Sequence, residues 1–423
     1  MPNKHIIPPQ NCTGCGLCAN VCSQNAIQMT WNNEGFLVPE VDVTACVNCG
    51  LCTKQCIAME EGHTYTDDVE SVVAYGGWHR DEDIHLQSSS GGIFSALAMH
   101  VIRQGGVVFG VVWKDKITAV FDKAETPEEL TRMRGSKYTP AIPGSVYRDC
   151  LSALKKGRQV LFSGTPCQVH ALKKYLGKEY SNLLTIDIVC HGMPSHLLME
   201  QYIREMEQGS GKSIKYVSFR EKPEGWINFH IACYYENDSR STNSLREDLY
   251  MKIFLSDKAL NHACYNCPYA HIPRQGDITL GDYWSVEHIH SDWPIEKGVS
   301  AILANSQKGN DTLEKLTEVL DLKPEPFNSI YKGQGVVYIR PQRQIPKDRA
   351  IILKKLKTKS LSEVLHIINS TKIGPLRISR TGAIYKIFAF ARRCARFFKR
   401  RLIEKNNDLD QIMHLNETCK KQD

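Results

Sequence analysis

No run of the 423 residues is both long enough and free enough of charge to read as a membrane-spanning helix, which excludes an integral helical membrane protein from the expectation. The opening stretch, residues 1–10, is polar and proline-bearing and lacks the apolar core of an export signal. A reducing, cytoplasmic setting follows, and with it free thiols in place of disulfides. Histidine never recurs as H-x-x-x-H or H-E-x-x-H, so no histidine-based zinc site is indicated. A general basic surplus is also missing. The net charge is +7, but residues 371–405 hold eleven Lys or Arg against the single acid Glu404, leaving the rest of the chain near −3. That balance excludes nucleic acid as the expected partner.

What abounds is cysteine. Sixteen are present, and eight of them form two runs of identical spacing: Cys12, Cys15, Cys18, Cys22 and Cys46, Cys49, Cys52, Cys56. Each reads C-x-x-C-x-x-C-x-x-x-C, in which three thiolates wrap one cubane and the fourth reaches across to a neighbouring one. The predicted pairing is therefore crossed. Cys12, Cys15, Cys18 and Cys56 would hold one 4Fe-4S cluster, and Cys46, Cys49, Cys52 and Cys22 the other. Gly14, Gly16, Ala19 and Gly50 leave room for backbone amides to approach cluster sulfur. A zinc pair or a disulfide knot fits worse, because zinc hooks of the C-x-x-C kind are usually set far apart. The segment resembles a bacterial two-cluster ferredoxin, with Ser23 and Ile57 where proline usually follows the fourth cysteine.

Residues 61–86 are polar and acidic and read as a linker with one strand at 72–75. Beyond it, strand and helix signals alternate. Helices are expected at 93–104, 126–133, 146–155 and 168–175, and strands at 107–113, 159–162 and 183–189. That rhythm predicts an α/β domain with a mostly parallel sheet, whose ligands gather at the carboxyl ends of its strands. Two cysteines fall at such ends, Cys167 and Cys190, and Cys264 and Cys267 form a hook downstream. Together they make a four-cysteine site, for which spacing admits both zinc and 4Fe-4S; buried free thiols are the alternative. The loop Ser88–Ser89–Ser90–Gly91–Gly92 opens a helix and offers hydroxyls and amides to a phosphate, or is simply a capped terminus.

Six stretches in this order, SSSGGIFSAL from Ser88, RGSKY from Arg134, SGTPCQ from Ser163, CHGMPS from Cys190, CYNCPY from Cys264 and GDITLGDYW from Gly276, carry a resemblance. From residue 87 to about 309 the chain resembles the coenzyme F-420 hydrogenase/dehydrogenase beta subunit family, FAD proteins with a 4Fe-4S cluster. The resemblance implies that Cys167, Cys190, Cys264 and Cys267 ligate a third 4Fe-4S cluster. It also implies FAD, held by Ser89, Ser90, Gly91, Gly92 and by Arg134, Gly135, Ser136, Lys137 and Tyr138. Lys137 and Arg134 would offset phosphate charge or steady a reduced flavin, and His191 would donate a proton or simply hold a cluster sulfur. Asp277 and Asp282 would bind ribose or cap a turn.

The expected organisation is thus an α+β two-cluster ferredoxin domain at 1–60, a linker at 61–86 and a flavin and 4Fe-4S domain at 87–345. A helical linker at 346–383 and a basic amphipathic segment at 384–423 follow. In 384–403 the apolar residues Ile384, Ile387, Phe388, Ala391, Ala395, Phe398 and Leu402 share one helical face. Such a face fits an anionic membrane surface on the inner side of the membrane, or equally a protein partner. The function expected is an oxidoreductase that passes electrons from ferredoxin or another one-electron donor to FAD. From there they go to an organic acceptor, a deazaflavin or another small metabolite such as an envelope precursor. The alternative is an electron-transfer subunit that feeds a separate catalytic chain.

Overall fold

The computed structural model describes residues 11–60, 68–334 and 343–370. The basic segment 384–423 lies outside them.

The two cysteine runs fold alike because each places glycine straight after its second cysteine. Gly16 and Gly50 take left-handed backbone angles (φ 74° and 72°) and launch the short helices Leu17–Val21 and Leu51–Lys54. Only glycine adopts that conformation without strain, so the repeat in sequence becomes a repeat in backbone. Between the runs lies a hairpin, β1 (Ile27–Trp31) against β2 (Leu37–Val41).

The main sheet has nine strands. They are β3 (Val73–His79), β4 (Val107–Trp113), β5 (Ala119–Ala124), β6 (Ala141–Ile142), β7 (Val160–Gly164) and β8 (Leu183–Ile188), and, after three that belong elsewhere, β12 (Ile278–Asp282), β13 (Ser300–Ala304) and β14 (Leu320–Pro324). Their order is β14-β3-β13-β12-β8-β7-β4-β5-β6. The centre, β12-β8-β7-β4, is parallel, as is the short pair β5-β6, but β4/β5, β12/β13, β13/β3 and β3/β14 are antiparallel. The sheet is therefore mixed, which corrects the mostly parallel expectation. The reason at β4/β5 is the tight turn at 114–118, pinned by Ile117 and Thr118 amides donating to the Asp115 carboxylate (2.9 and 2.7 Å). A turn that short reverses the chain, whereas a parallel return needs a crossover of a dozen residues or more.

Alternation along the central strands divides two cores. Val108, Val112, Leu161, Leu184 and Ile186 face the helix Ile93–Arg103. Val107, Phe109, Val160, Phe162 and Leu183 face the helices Val146–Lys155 and Pro166–Leu176, together with Cys15, Leu17 and Ile57 of the N-terminal domain.

Three expectations change. The stretch read as a linker, 61–86, contributes β3, which lies inside the sheet between β13 and β14. Its glycines diluted the apolar signal, yet they are required there: a Cβ on Gly76 would sit 2.4 Å from Trp293. The stretch read as a helical linker, 346–383, contains the helices Arg349–Leu356 and Leu361–Ser370, and Ile352, Leu353, Leu356, Leu361, Val364 and Ile368 are buried in a shared core. That core belongs to a layer the sequence reading did not foresee. It is a second sheet of β9 (Ile214–Glu221), β10 (His230–Tyr235) and β11 (Arg240–Ser244), all antiparallel, covered by the helix His196–Ser210.

Gly91 shows how tightly the Ser–Gly loop is seated. A Cβ there would lie 2.2 Å from the Gly77 carbonyl oxygen and 2.9 Å from the Ser300 amide, neither of which is a flexible side-chain end. Gly91→Ala is expected to lower stability by about 1–3 kcal/mol in thermal or denaturant unfolding. Gly209→Ala, where a Cβ meets nothing within 4 Å on a helix, is expected to be neutral or slightly stabilising.

Candidate functional site

The eight N-terminal thiols surround two cavities. One is lined by Cys12, Cys15, Cys18 and Cys56 with Cys52, Leu17, Met29 and Ile57. The other is lined by Cys22, Cys46, Cys49 and Cys52. The fourth cysteine of each run thus stands in the cavity of the other run, the crossed arrangement read from spacing. In the first cavity burial pushes Cys12 up to about 11 and Cys15 up to about 12, and the Gly14 amide donates to Cys12 Sγ (3.4 Å). Thiols buried this way ionise only against a strong positive partner, which iron supplies. Among the described residues no three His, Cys, Asp or Glu side chains converge as they would on a lone ion. The thiols ring a space, and that suits a cluster.

A third set forms at the sheet. Cys167 enters the first turn of helix Pro166–Leu176, directly after β7, where a Thr165–Gln168 capping box fixes the start. Cys190 follows β8, the parallel neighbour of β7, so the two strand ends lie side by side. The loop of Cys264 and Cys267 closes over them. After burial, the chief cause that raises Cys264 is the charge of Cys190 and Cys267, and for Cys167 it includes that of Cys190 and Cys267. Arg274 and Arg343 oppose the rise at Cys190 and Cys267. Two guanidiniums beside four thiols counter the negative charge that a thiolate-bound cluster brings.

His191 pairs with a carboxylate. Its Nε2 meets Asp257 Oδ1 at 2.7 Å, Arg343 Nη1 meets the same oxygen at 2.7 Å, and Arg343 Nη2 donates to the His191 carbonyl at 3.0 Å. Although burial opposes it, the His191 and Arg343 contacts hold Asp257 below the usual carboxylate range. The triad braces the Cys190 loop.

The Ser–Gly loop and the Arg134–Tyr138 loop do come together: the Ser136 amide donates to Ser89 Oγ at 2.9 Å, with Ser136 Oγ also at 2.9 Å. Their individual groups differ from expectation. Ser90 Oγ donates to the Val299 carbonyl, the Gly91 amide donates to Ser300 Oγ, and Gly92 (φ 84°) starts the following helix. Lys137, expected beside the cofactor, turns its ammonium onto the carbonyls of Arg132, Met133, Arg134 and Gly135 (3.0–3.3 Å). Burial pushes Lys137 down to about 7, against the pull of those four oxygens. There it caps its own helical turn. Arg134 donates to Ser95 and Gln87.

The cations that reach this region were missed. Lys222 donates to the carbonyls of His85 (3.1 Å) and Ser90 (3.3 Å), and burial, helped by the Arg220 charge, pushes it down to about 7. Arg220 forms a two-pronged pair with Asp282 (2.7 and 3.1 Å) and donates to Tyr138 Oη (3.2 Å). Trp226 donates to Asp282 (3.3 Å) and stacks on Trp284 at 4.9 Å. Arg220 belongs to β9 and Lys222 follows it directly, so the layer that sequence reading overlooked hid them; their R-x-K alternation was the available signal. Asp277 ties β8 to the start of helix Gln307–Glu314, accepting from Thr185 N (2.8 Å) and Ser306 Oγ (2.8 Å). A loop flanked by cations and stacked indoles fits an anionic cofactor with a flat ring, although its seryl hydroxyls are spent inside the protein.

Thiol sets at a small N-terminal domain and at the carboxyl end of a mixed α/β sheet define an iron–sulfur protein of the oxidoreductase class. Residues 74–146 match the family model of the coenzyme F420 hydrogenase/dehydrogenase beta subunit N-terminus, residues 157–329 that of its C-terminus, and residues 11–58 that of the 4Fe-4S dicluster domain. The chain belongs to the coenzyme F420 hydrogenase/dehydrogenase beta subunit family and carries a 4Fe-4S dicluster domain ahead of it. Among solved structures it is similar to a chain of the xenon-derivatised F420-reducing [NiFe] hydrogenase complex from Methanosarcina barkeri. The two are 17% identical, the match covers 74% of this chain and 94% of that one, and the TM-score is 0.42. No curated protein matches the chain.

Proposed function

We propose that this protein is an iron–sulfur flavoprotein that draws single electrons from a ferredoxin-type donor and hands pairs of them to an organic acceptor, a deazaflavin or another small metabolite. When bound, 4Fe-4S clusters carry electrons singly and FAD stores two for transfer as hydride. The observation that supports the reading is that the N-terminal thiols line two spaces in crossed fashion, with Cys52 on both, and that Cys190 and Cys267 lie close enough for their charges to act on Cys167 and Cys264. Cys12, Cys15, Cys18 and Cys56 would hold one cluster, Cys22, Cys46, Cys49 and Cys52 the second, and Cys167, Cys190, Cys264 and Cys267 the third. The chain's own part is to bury Cys12 and Cys15, to offset the charge at Cys190 and Cys267 with Arg274 and Arg343, and to fix the Cys190 loop through His191 and Asp257. Lys222 and Arg220 place positive charge beside the Ser–Gly loop, where the phosphates of FAD would lie.

A second reading, an electron-transfer subunit that feeds another catalytic chain, is favoured by the family's description as a beta subunit. Anaerobic purification, flavin extraction and turnover of the isolated chain with reduced ferredoxin or dithionite separate the two. Bound FAD with acceptor reduction by the chain alone supports the first; FAD with turnover only after a partner chain is added supports the second. A preparation with zinc, or with no flavin, overturns the proposal.

A further inference from the structure

The N-terminal domain meets the sheet domain through the side that holds the Cys12–Cys15–Cys18 run. Tyr147 Oη donates to the Cys15 carbonyl at 2.7 Å, and Asn261 Nδ2, from the loop that leads to Cys264, donates to the Cys12 carbonyl at 3.1 Å. Arg148 donates to the carbonyls of Ala19 (2.8 Å), Asn20 (2.7 Å) and Cys22 (2.6 Å). Gly16 has no room to shift, since a Cβ there would sit 2.6 Å from Pro143.

Tyr147 is wholly buried, in the apolar cluster that contains Cys15, Leu17 and Ile57 and against which Cys167 and Cys267 pack. Besides burial, the charges of Cys15 and Cys167 both act on its hydroxyl, and the charge of Cys15 reaches Cys167. One ring therefore touches the surroundings of two thiol sets. The remaining set faces outward: Cys49 is exposed, Cys22, Cys46 and Cys52 are half-buried, and Val43, Val47 and Leu51 are exposed around them.

We propose that Tyr147 is the positioning residue joining the Cys12–Cys15–Cys18–Cys56 site to the Cys167–Cys190–Cys264–Cys267 site. The order of the three is then fixed, with the Cys22–Cys46–Cys49–Cys52 site outermost. The inference rests on the iron–sulfur reading above. Between sites one electron moves and no proton: the outer site, reduced by an external one-electron donor, is oxidised as the middle site is reduced. Tunnelling falls steeply with the gap, so a dry, packed contact is what the middle step needs. The Tyr147 hydroxyl fixes the Cys15 carbonyl, two residues before Leu17, whose amide donates to the Cys15 sulfur, and such donors raise a cluster's potential.

Iron analysis of the anaerobic full-length chain comes first, and a chain without iron sinks the proposed function itself. In iron-loaded protein, the double variant Cys46→Ser/Cys49→Ser empties the outer site. Electron paramagnetic resonance of the dithionite-reduced variant is expected to retain spin–spin broadening between the two remaining sites. Two isolated, unbroadened signals would overturn the adjacency. In Tyr147→Phe, which keeps the ring, iron content is expected to stay unchanged while the midpoint potential of one site alone falls in a redox titration. Three unchanged potentials would overturn the role given to Tyr147, and this second variant decides the matter should the first fail to fold.

Discussion

Replacing Cys56 with serine is expected to remove about four of about twelve irons, because three intact cubanes carry four each. The loss should fall on the site formed with Cys12, Cys15 and Cys18, although Cys56 belongs to the other cysteine run. Cys18→Ser should produce the same spectral loss, whereas Cys22→Ser should spare that site and abolish the second. The comparison reads the crossing directly: if Cys56→Ser and Cys22→Ser exchanged their effects, the cavities would have been misassigned. Stability should drop along with iron. The domain's buried apolar residues within 11–60 are few, chiefly Leu17, Ala26, Ile27, Phe36, Leu37 and Ile57, so metal binding carries folding energy that this core cannot replace. Iron and labile sulfide content, with the unfolding midpoint, check it.

The second large effect concerns the ion pair under the Tyr138 loop. The Arg220 side chain is 4% exposed and Asp282 16%, and they meet at 2.7 Å. Burial alone would lower the Arg220 guanidinium, but Asp282 and Tyr138 more than offset it and its affinity for the proton rises above the ordinary arginine value. Arg220→Met takes the guanidinium from the partly buried Asp282 carboxylate, which keeps its Trp226 donor, and is expected to cost about 1–3 kcal/mol in denaturant unfolding. The double variant Arg220→Met/Asp282→Leu should recover most of that, since an apolar pair of similar volume removes the stranded charge. If the single and double variants were equally unstable, packing of the guanidinium on Phe229 (4.1 Å) would matter more than the charge pair. Retention of flavin by the double variant, measured by absorbance after desalting, is expected to fall because Arg220 and Lys222 are neighbouring cations at the end of β9.

Much of the site was legible in sequence because its signals are local. Cysteine spacing depends on how far a short loop reaches, and helices such as Val146–Lys155 and strands such as Val107–Trp113 follow from periodicity within a dozen residues. The strand within 61–86 was legible but its place in the sheet was not, for a non-local reason: β3 is held by β13 and β14, both more than two hundred residues away in the chain. A cation in a Gly–Ser loop looks like a phosphate ligand from sequence, and only the structure shows Lys137 donating to the carbonyls of the preceding turn.

By itself the sequence determined that sulfur would be grouped, since a thiolate's neighbours within a C-x-x-C run are set by covalent reach. It also favoured the left-handed turns at Gly16 and Gly50, because glycine, with no Cβ, takes those angles at the lowest cost. Only the tertiary structure decided that Cys190 and Cys267 would lie near Cys264, that Arg220 would find Asp282, and that Tyr147 would reach the Cys15 carbonyl. Those encounters depend on which strands become neighbours in the sheet, and that is settled by packing summed over the whole domain.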